Sequence, residues 1–169
     1  MKPLVILGVD PGFSVSGFAV LKKDNTKALL LDFGYLQMSS KKCLAERTGI
    51  FYDFMNEKIE KHSVTNISLE TSFLGKNAQT FLKLGYLRGI LYLLSYQHKL
   101  EIAEFAPREV KQRTVGFGGA TKDQVAAMMF RMFPKLNEIN KTAKNDVTDA
   151  LAICICGFWN AHKPSLIRK

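Results

Sequence analysis

A disulfide framework is missing. The chain has three cysteines, Cys43, Cys154 and Cys156, an odd number at spacings that suit no set of bridges. Cys154 and Cys156 are too close for the usual zinc pair, and no second pair or histidine cluster accompanies them. A disulfide-stapled secreted scaffold and a zinc ribbon are therefore excluded. The expectation is reduced, mostly buried thiols in a cytoplasmic protein. Long hydrophobic runs are missing too. Met1-Lys2-Pro3 leads into a short apolar run, without the longer stretch and small-residue cleavage site of a signal peptide. No run reaches membrane-spanning length without a charge. There is no internal repeat. Gly116, Gly118 and Gly119 form a loop but not G-x-G-x-x-G, so no dinucleotide site is expected there. Acidic residues are the minority charge, 15 against 24 Lys and Arg, for a net charge of +9. That sign points to a polyanionic partner, nucleic acid or an acidic membrane surface.

What is present suits one domain over residues 1–162, with a short basic tail at 163–169. Leu4-Val5-Ile6-Leu7-Gly8-Val9 is a continuous apolar run, the pattern of a strand buried on both faces. It ends in Asp10-Pro11-Gly12, a turn signal. Val15–Leu21 and Ala28–Gln37 read as further strands, completing a three-stranded meander. A helix over about Lys42–Lys61 precedes a short strand that ends at Glu70. A strand, helix, strand connection of that kind predicts a parallel, right-handed pairing. Lys76–Gln97 reads as the longest helix, apolar on nearly every side and hence buried, in the core or against a second subunit. Gly85 and Gly89 would let another backbone approach it. Glu101–Phe105 reads as a fifth strand, and residues 106–112 as a short helix with Pro107 at its first position. Thr121 and Gln124 form a capping box that opens a helix to about Phe133. Residues 134–144 read as a polar linker, and a last helix runs from Asp146 to about Ala161.

The acidic residues that are present fall in telling places. Asp10 and Glu70 each end an apolar strand. Asp146 and Asp149 stand three apart on one helix face, with no Lys or Arg at i+4 to offset them. Capping explains one helical aspartate but not two. For Asp10, capping its own turn is the competing reading. If the first and fourth strands are parallel neighbours, Asp10 and Glu70 emerge at one sheet edge, and a last helix packed there would bring Asp146 and Asp149 to the same place. Mutual repulsion there is relieved by a hard divalent cation with oxygen ligands, such as Mg²⁺. Two such ions roughly 3.5–4 Å apart suit phosphodiester displacement. Acidic metal ligands within a basic protein are what a nuclease needs.

Several stretches resemble the RuvC family of bacterial Holliday junction resolvases. They are Ile6-Leu7-Gly8-Val9-Asp10-Pro11-Gly12; Leu69-Glu70-Thr71-Ser72-Phe73 with Lys76-Asn77-Ala78; Leu84-Gly85 with Arg88-Gly89; Val110-Lys111-Gln112 with Val115-Gly116; and Asp146-Val147-Thr148-Asp149-Ala150-Leu151-Ala152. They occur in order and at compatible spacing from about residue 5 to about residue 161. The resemblance implies a ribonuclease H-like α/β fold, a five-stranded mixed sheet flanked by helices on both faces. It implies a cytoplasmic homodimer that binds four-way DNA junctions and nicks two strands symmetrically in recombination and repair. It implies Mg²⁺, with Mn²⁺ able to substitute, two ions per site, and a branch-migration motor complex as partner, with no membrane. Asp10, Glu70, Asp146 and Asp149 fall on the family's metal-binding and catalytic acids. Lys76, Lys111 and Lys122 fall on DNA-binding positions. Phe73 falls on a base-stacking wedge, with a core position as the competing reading. The Lys76–Gln97 helix falls where the family dimerises.

Three alternatives compete with this reading. One is a ribonuclease H-like nuclease that acts on RNA or other branched DNA. Another is a non-catalytic junction-binding module, which would not need all four acids. The third is an ATP-binding protein of the actin and sugar-kinase kind, which would need a second similar lobe.

Overall fold

The computed structural model describes residues 3–71, 78–138 and 144–160. Its elements follow the order β1 (Val5–Asp10), β2 (Val15–Asp24), β3 (Lys27–Gln37), α1 (Leu44–His62), β4 (Asn66–Glu70), α2 (Ala78–His98), β5 (Glu101–Phe105), α3 (Pro107–Val115), α4 (Lys122–Met132), a 3-10 turn (Pro134–Glu138) and α5 (Lys144–Asn160). The strands form one sheet in the order β3-β2-β1-β4-β5. β1 pairs antiparallel with β2 and parallel with β4, while β4 pairs parallel with β5. The expected mixed five-stranded sheet is thus observed.

Alternation along β1 divides the core in two. Val5, Leu7 and Val9 face a cluster with Phe51, Met55 and Ile59 of α1 and Leu87, Leu91 and Leu94 of α2. Ile6 faces the opposite cluster, with residues of α3, α4 and α5. Both faces of the central strand are covered, as its unbroken apolar run requires. The α1 residues recur at i, i+4 and i+8, the stripe of a helix packed on a sheet. Burying each such side chain is worth roughly 1.5–3 kcal/mol.

Several boundaries differ from the sequence expectation. β2 continues through Lys22, Lys23 and Asp24 to a turn at Asn25, whose φ is +54°. α3 runs on to Val115 and is closed by Gly116 at φ +86°. The first part of the expected 134–144 linker is a 3-10 turn anchored by buried Leu136. α5 begins at Lys144, so Asp146 lies in its first turn and not at its cap. The expectation of mostly buried thiols holds for Cys154 and Cys156 but fails for Cys43. Cys43 is exposed at the cap of α1, where its sulfur accepts from the Glu46 amide while its own amide donates to the Glu46 carboxylate.

Candidate metal centre

Strand parity decides where the first two acids point. Ile6, Gly8 and Asp10 share one face of β1. A Cβ at Gly8 would press on the Ala150 carbonyl and on Cys154, so this is the face that α5 covers. In β4, Ser68 touches α5 where a Cβ on Gly157 would collide with its hydroxyl, and Glu70 lies two residues further on that face. The β1–β4 ladder pairs Val9 with Leu69. Asp10 and Glu70 are therefore neighbouring strand ends on the α5 side of the sheet.

The third and fourth acids arrive from α5. Asp10 is paired across β2 with Gly17. A side chain at Gly17 would strike the main-chain carbonyl of Asp146. The missing Cβ lets the first turn of α5 lie against the sheet beside Asp10. Buried Val147, Ala150 and Leu151 fix the rotation of the helix, and Asp149 follows Asp146 on the same face.

The electrostatics show that the four carboxyl groups share one field. Burial, then the charges of Asp149, Glu70 and Asp146, push the Asp10 carboxyl up to about 7. Burial and Asp149 also raise Glu70. Burial and, less strongly, Asp149 raise Asp146. Lys122 opposes the shift at all three. Its ammonium bonds Asp149 Oδ2 at 3.0 Å, and the Asp149 pairing raises Lys122 itself. Lys111 lowers Glu70 and so stands on the same side of the cluster. Among the described residues no three Asp, Glu, His or Cys side chains are drawn into a ligating group. What fits a hard divalent cation is the donor set: four carboxylates, two on strand ends and two on a helix face, whose burial and repulsion a cation would relieve.

The turn after β1 is held by a serine. Fully buried Ser16 accepts from the Gly12 amide at 3.0 Å and donates to the Gly12 carbonyl at 2.7 Å. Phe73 and Lys76, expected to contact DNA, lie outside the described residues. The loop after α3 is pinned by Gln112, which donates to the Gly116 carbonyl at 2.7 Å and accepts from the Gly118 amide at 3.0 Å. The loop leaves Phe117 65% exposed. Phe117 belongs to none of the stretches that carry the family resemblance. Its signal was a large aromatic set among glycines and flanked by Lys111 and Lys122. Arg88 donates to the Glu70 carbonyl at 2.6 Å, a contact with no sequence pattern of its own. The only available signal was the presence of Arg88 in a matching stretch.

The profile of the family described as crossover junction endodeoxyribonuclease RuvC matches residues 6–157. A RuvC of this description from Chlorobium phaeobacteroides is 42% identical over 153 residues, covering 90% of this chain and 80% of the relative. One from Legionella pneumophila is 35% identical over 152 residues, covering 90% and 85%. The solved Thermus thermophilus RuvC superposes with a TM-score of 0.80 at 25% identity, covering 94% of this chain and 95% of its own. A second T. thermophilus RuvC structure, in complex with a Holliday junction substrate, shares the fold with a TM-score of 0.83 at 24% identity, covering 94% of each chain. With the family profile matched over residues 6–157 and relatives 35–42% identical over most of their length, the chain belongs to the RuvC family of crossover junction endodeoxyribonucleases.

Proposed function

We propose that this chain resolves four-way DNA junctions by divalent-metal-dependent hydrolysis at Asp10, Glu70, Asp146 and Asp149. The observation that carries the site assignment is geometric: Asp10 and Glu70 end adjacent parallel strands on the face covered by the first turn of α5, which brings Asp146 and Asp149; in that shared field the Asp10 carboxyl is raised to about 7. A carboxylate so placed gains from a cation. Mg²⁺ is the ion that suits an all-oxygen donor set, with Mn²⁺ as substitute and two ions per site. When bound, such ions stabilise both the attacking water and the leaving oxygen of an in-line phosphodiester displacement. Asp10 and Glu70 contribute the fixed side of the site, on adjacent strands. Asp146 and Asp149 contribute the helical side. Lys111 and Lys122 bring positive charge to its rim, where the phosphate backbone would run. By the family resemblance Lys76 binds DNA and Phe73 stacks on a base, and exposed Phe117 offers a further stacking face.

Residues 1–162 form the single nuclease domain of this reading, with 163–169 as a basic tail. The protein works as a homodimer, two sites for two nicks, with α2 as the shared face. A branch-migration motor complex is its partner, and the cytoplasm its compartment. Among the described residues no helix is long and apolar enough to cross a membrane.

The test is cleavage in Mg²⁺ of a four-way junction, a linear duplex and an RNA–DNA hybrid. Paired symmetric nicks in the junction alone are expected. Comparable cutting of the hybrid would move the substrate to RNA. Binding without cutting in either metal would leave a junction-binding module.

A further inference from the structure

The end of β4 is held from the side opposite the acids. Arg88 of α2 donates through Nη1 to the main-chain carbonyl of Glu70 at 2.6 Å. Its Nη2 pairs with Glu104 Oε1 on β5, and the Tyr92 hydroxyl, one turn further along α2, donates to that same oxygen. The Leu69–Glu104 register sets Glu104 on the α2 side of the sheet. The Arg88 side chain is only 13% exposed. The β1–β4 ladder stops at the Val9–Leu69 pair, so at Glu70 a side chain takes over from a strand. A main-chain carbonyl in that place needs a donor. A guanidinium supplies a charge-assisted bond with a fixed planar direction.

We propose that Arg88 is a positioning residue for the metal site: by gripping the Glu70 carbonyl while braced on Glu104 and Tyr92, it aims the Glu70 side chain at the other three acids. This rests on the reading of those acids as metal ligands. Arg88 touches no reacting atom in this role. It works from the α2 layer through the backbone of β4, and the carboxylate it orients stands on the other face. Tyr92 is half-exposed at the edge of the outer stripe of α2, so the brace also joins that outer face to the site.

The experiment is calorimetric titration of the full chain with Mn²⁺, without DNA, for wild type, Arg88→Met, Arg88→Lys and Glu70→Gln. Junction affinity in EDTA is measured alongside. Arg88→Met should weaken Mn²⁺ binding by about tenfold, the scale of losing a support behind a ligand. Junction affinity in EDTA should not change, and Arg88→Lys should recover part of the metal affinity because an ammonium still donates to a carbonyl. A purely structural salt bridge between α2 and β5 would lower thermal stability and leave Mn²⁺ binding alone. That result, with Glu70→Gln impaired, overturns the role of Arg88 and keeps the metal site. Wild-type binding in both Glu70→Gln and Arg88→Met overturns the ligand assignment itself. If Arg88→Met does not fold, Glu104→Gln carries the same test: it removes the charge that braces Arg88, and unchanged Mn²⁺ affinity there overturns the proposal equally.

Discussion

Asp10 is where charge, burial and pH meet. Its carboxyl is pushed up to about 7 from an ordinary 3.8, so between those values the folded chain keeps a proton that the unfolded chain has lost. The folded state binds more protons in that window, and stability must fall as pH rises through it. Glu70 and Asp146 are raised as well and act with the same sign. Asp32, held low by His62 and Lys58, has the opposite sign, but its contribution is lost only at pH below the window. In EDTA the melting temperature should therefore drop between about pH 5 and about pH 8. Asp10→Asn should flatten that drop, melt higher than wild type at the upper pH, abolish cleavage and leave junction binding largely intact. Scanning calorimetry at the two pH values, with a gel-shift and a cleavage assay, checks all four. Cutting by Asp10→Asn at a near-normal rate would remove Asp10 from the site.

The acids work only if α5 lies hard against the sheet, and that seat depends on side chains that are absent. At Gly17 a Cβ would meet main-chain oxygen of Asp146, which cannot swing aside as a rotamer could. Gly17→Ala should displace the first turn of α5 and destabilise the fold by about 1–3 kcal/mol. Cleavage should fall further than stability, because Asp146 moves with the turn. Urea unfolding and a cleavage assay below the unfolding midpoint separate the two effects. A variant that loses stability and cuts normally would show that the seat of α5 is not what places the acids. None of this close approach was legible in the chain. The strand ends at Asp10 and Glu70 were, because apolar runs that stop at a carboxylate are local patterns. So was the Thr121–Gln124 capping box, a four-residue signature. α5 starts two residues before the Asp146 that the sequence suggests, because an aspartate at a helix beginning reads equally as cap or first turn. α3 runs three residues past the expected Gln112 to Val115, and Gly116 is the mark of its end. The link from Arg88 to Glu70 and Glu104 had no sequence signal: it joins residues 16 and 18 apart across two layers, a tertiary contact with no period.

At the scale of the whole molecule, two features point to partners outside the chain. One is its basic charge. A +9 chain that neutralises phosphates should lose junction affinity steeply with salt, and Lys111→Ala should lower the slope of log affinity against log salt by about 1. The other is the outer face of α2. The helix is apolar on nearly every side, yet among the described residues its buried positions, Leu87, Leu91, Leu94 and Ser95, lie on one side. Leu82, Tyr86, Leu93 and Tyr96 are exposed, Tyr96 at 83%. With Gly85 and Gly89 they recur at i, i+3, i+4, i+7, i+11 and i+14, a single stripe. A Cβ at either glycine would meet nothing within 4 Å, so the stripe is open as well as apolar, a face suited to close helix contact. A second copy of α2 laid along it would bring two sites under one two-fold axis. Leu82→Glu with Leu93→Glu should therefore yield a folded monomer, because neither side chain supports the core. Sedimentation should show one chain where wild type shows two. The monomer should still bind Mn²⁺ but nick only one strand per encounter, so paired symmetric cuts disappear before single cuts do. A doubly substituted chain that still sediments as a dimer would move the interface off α2.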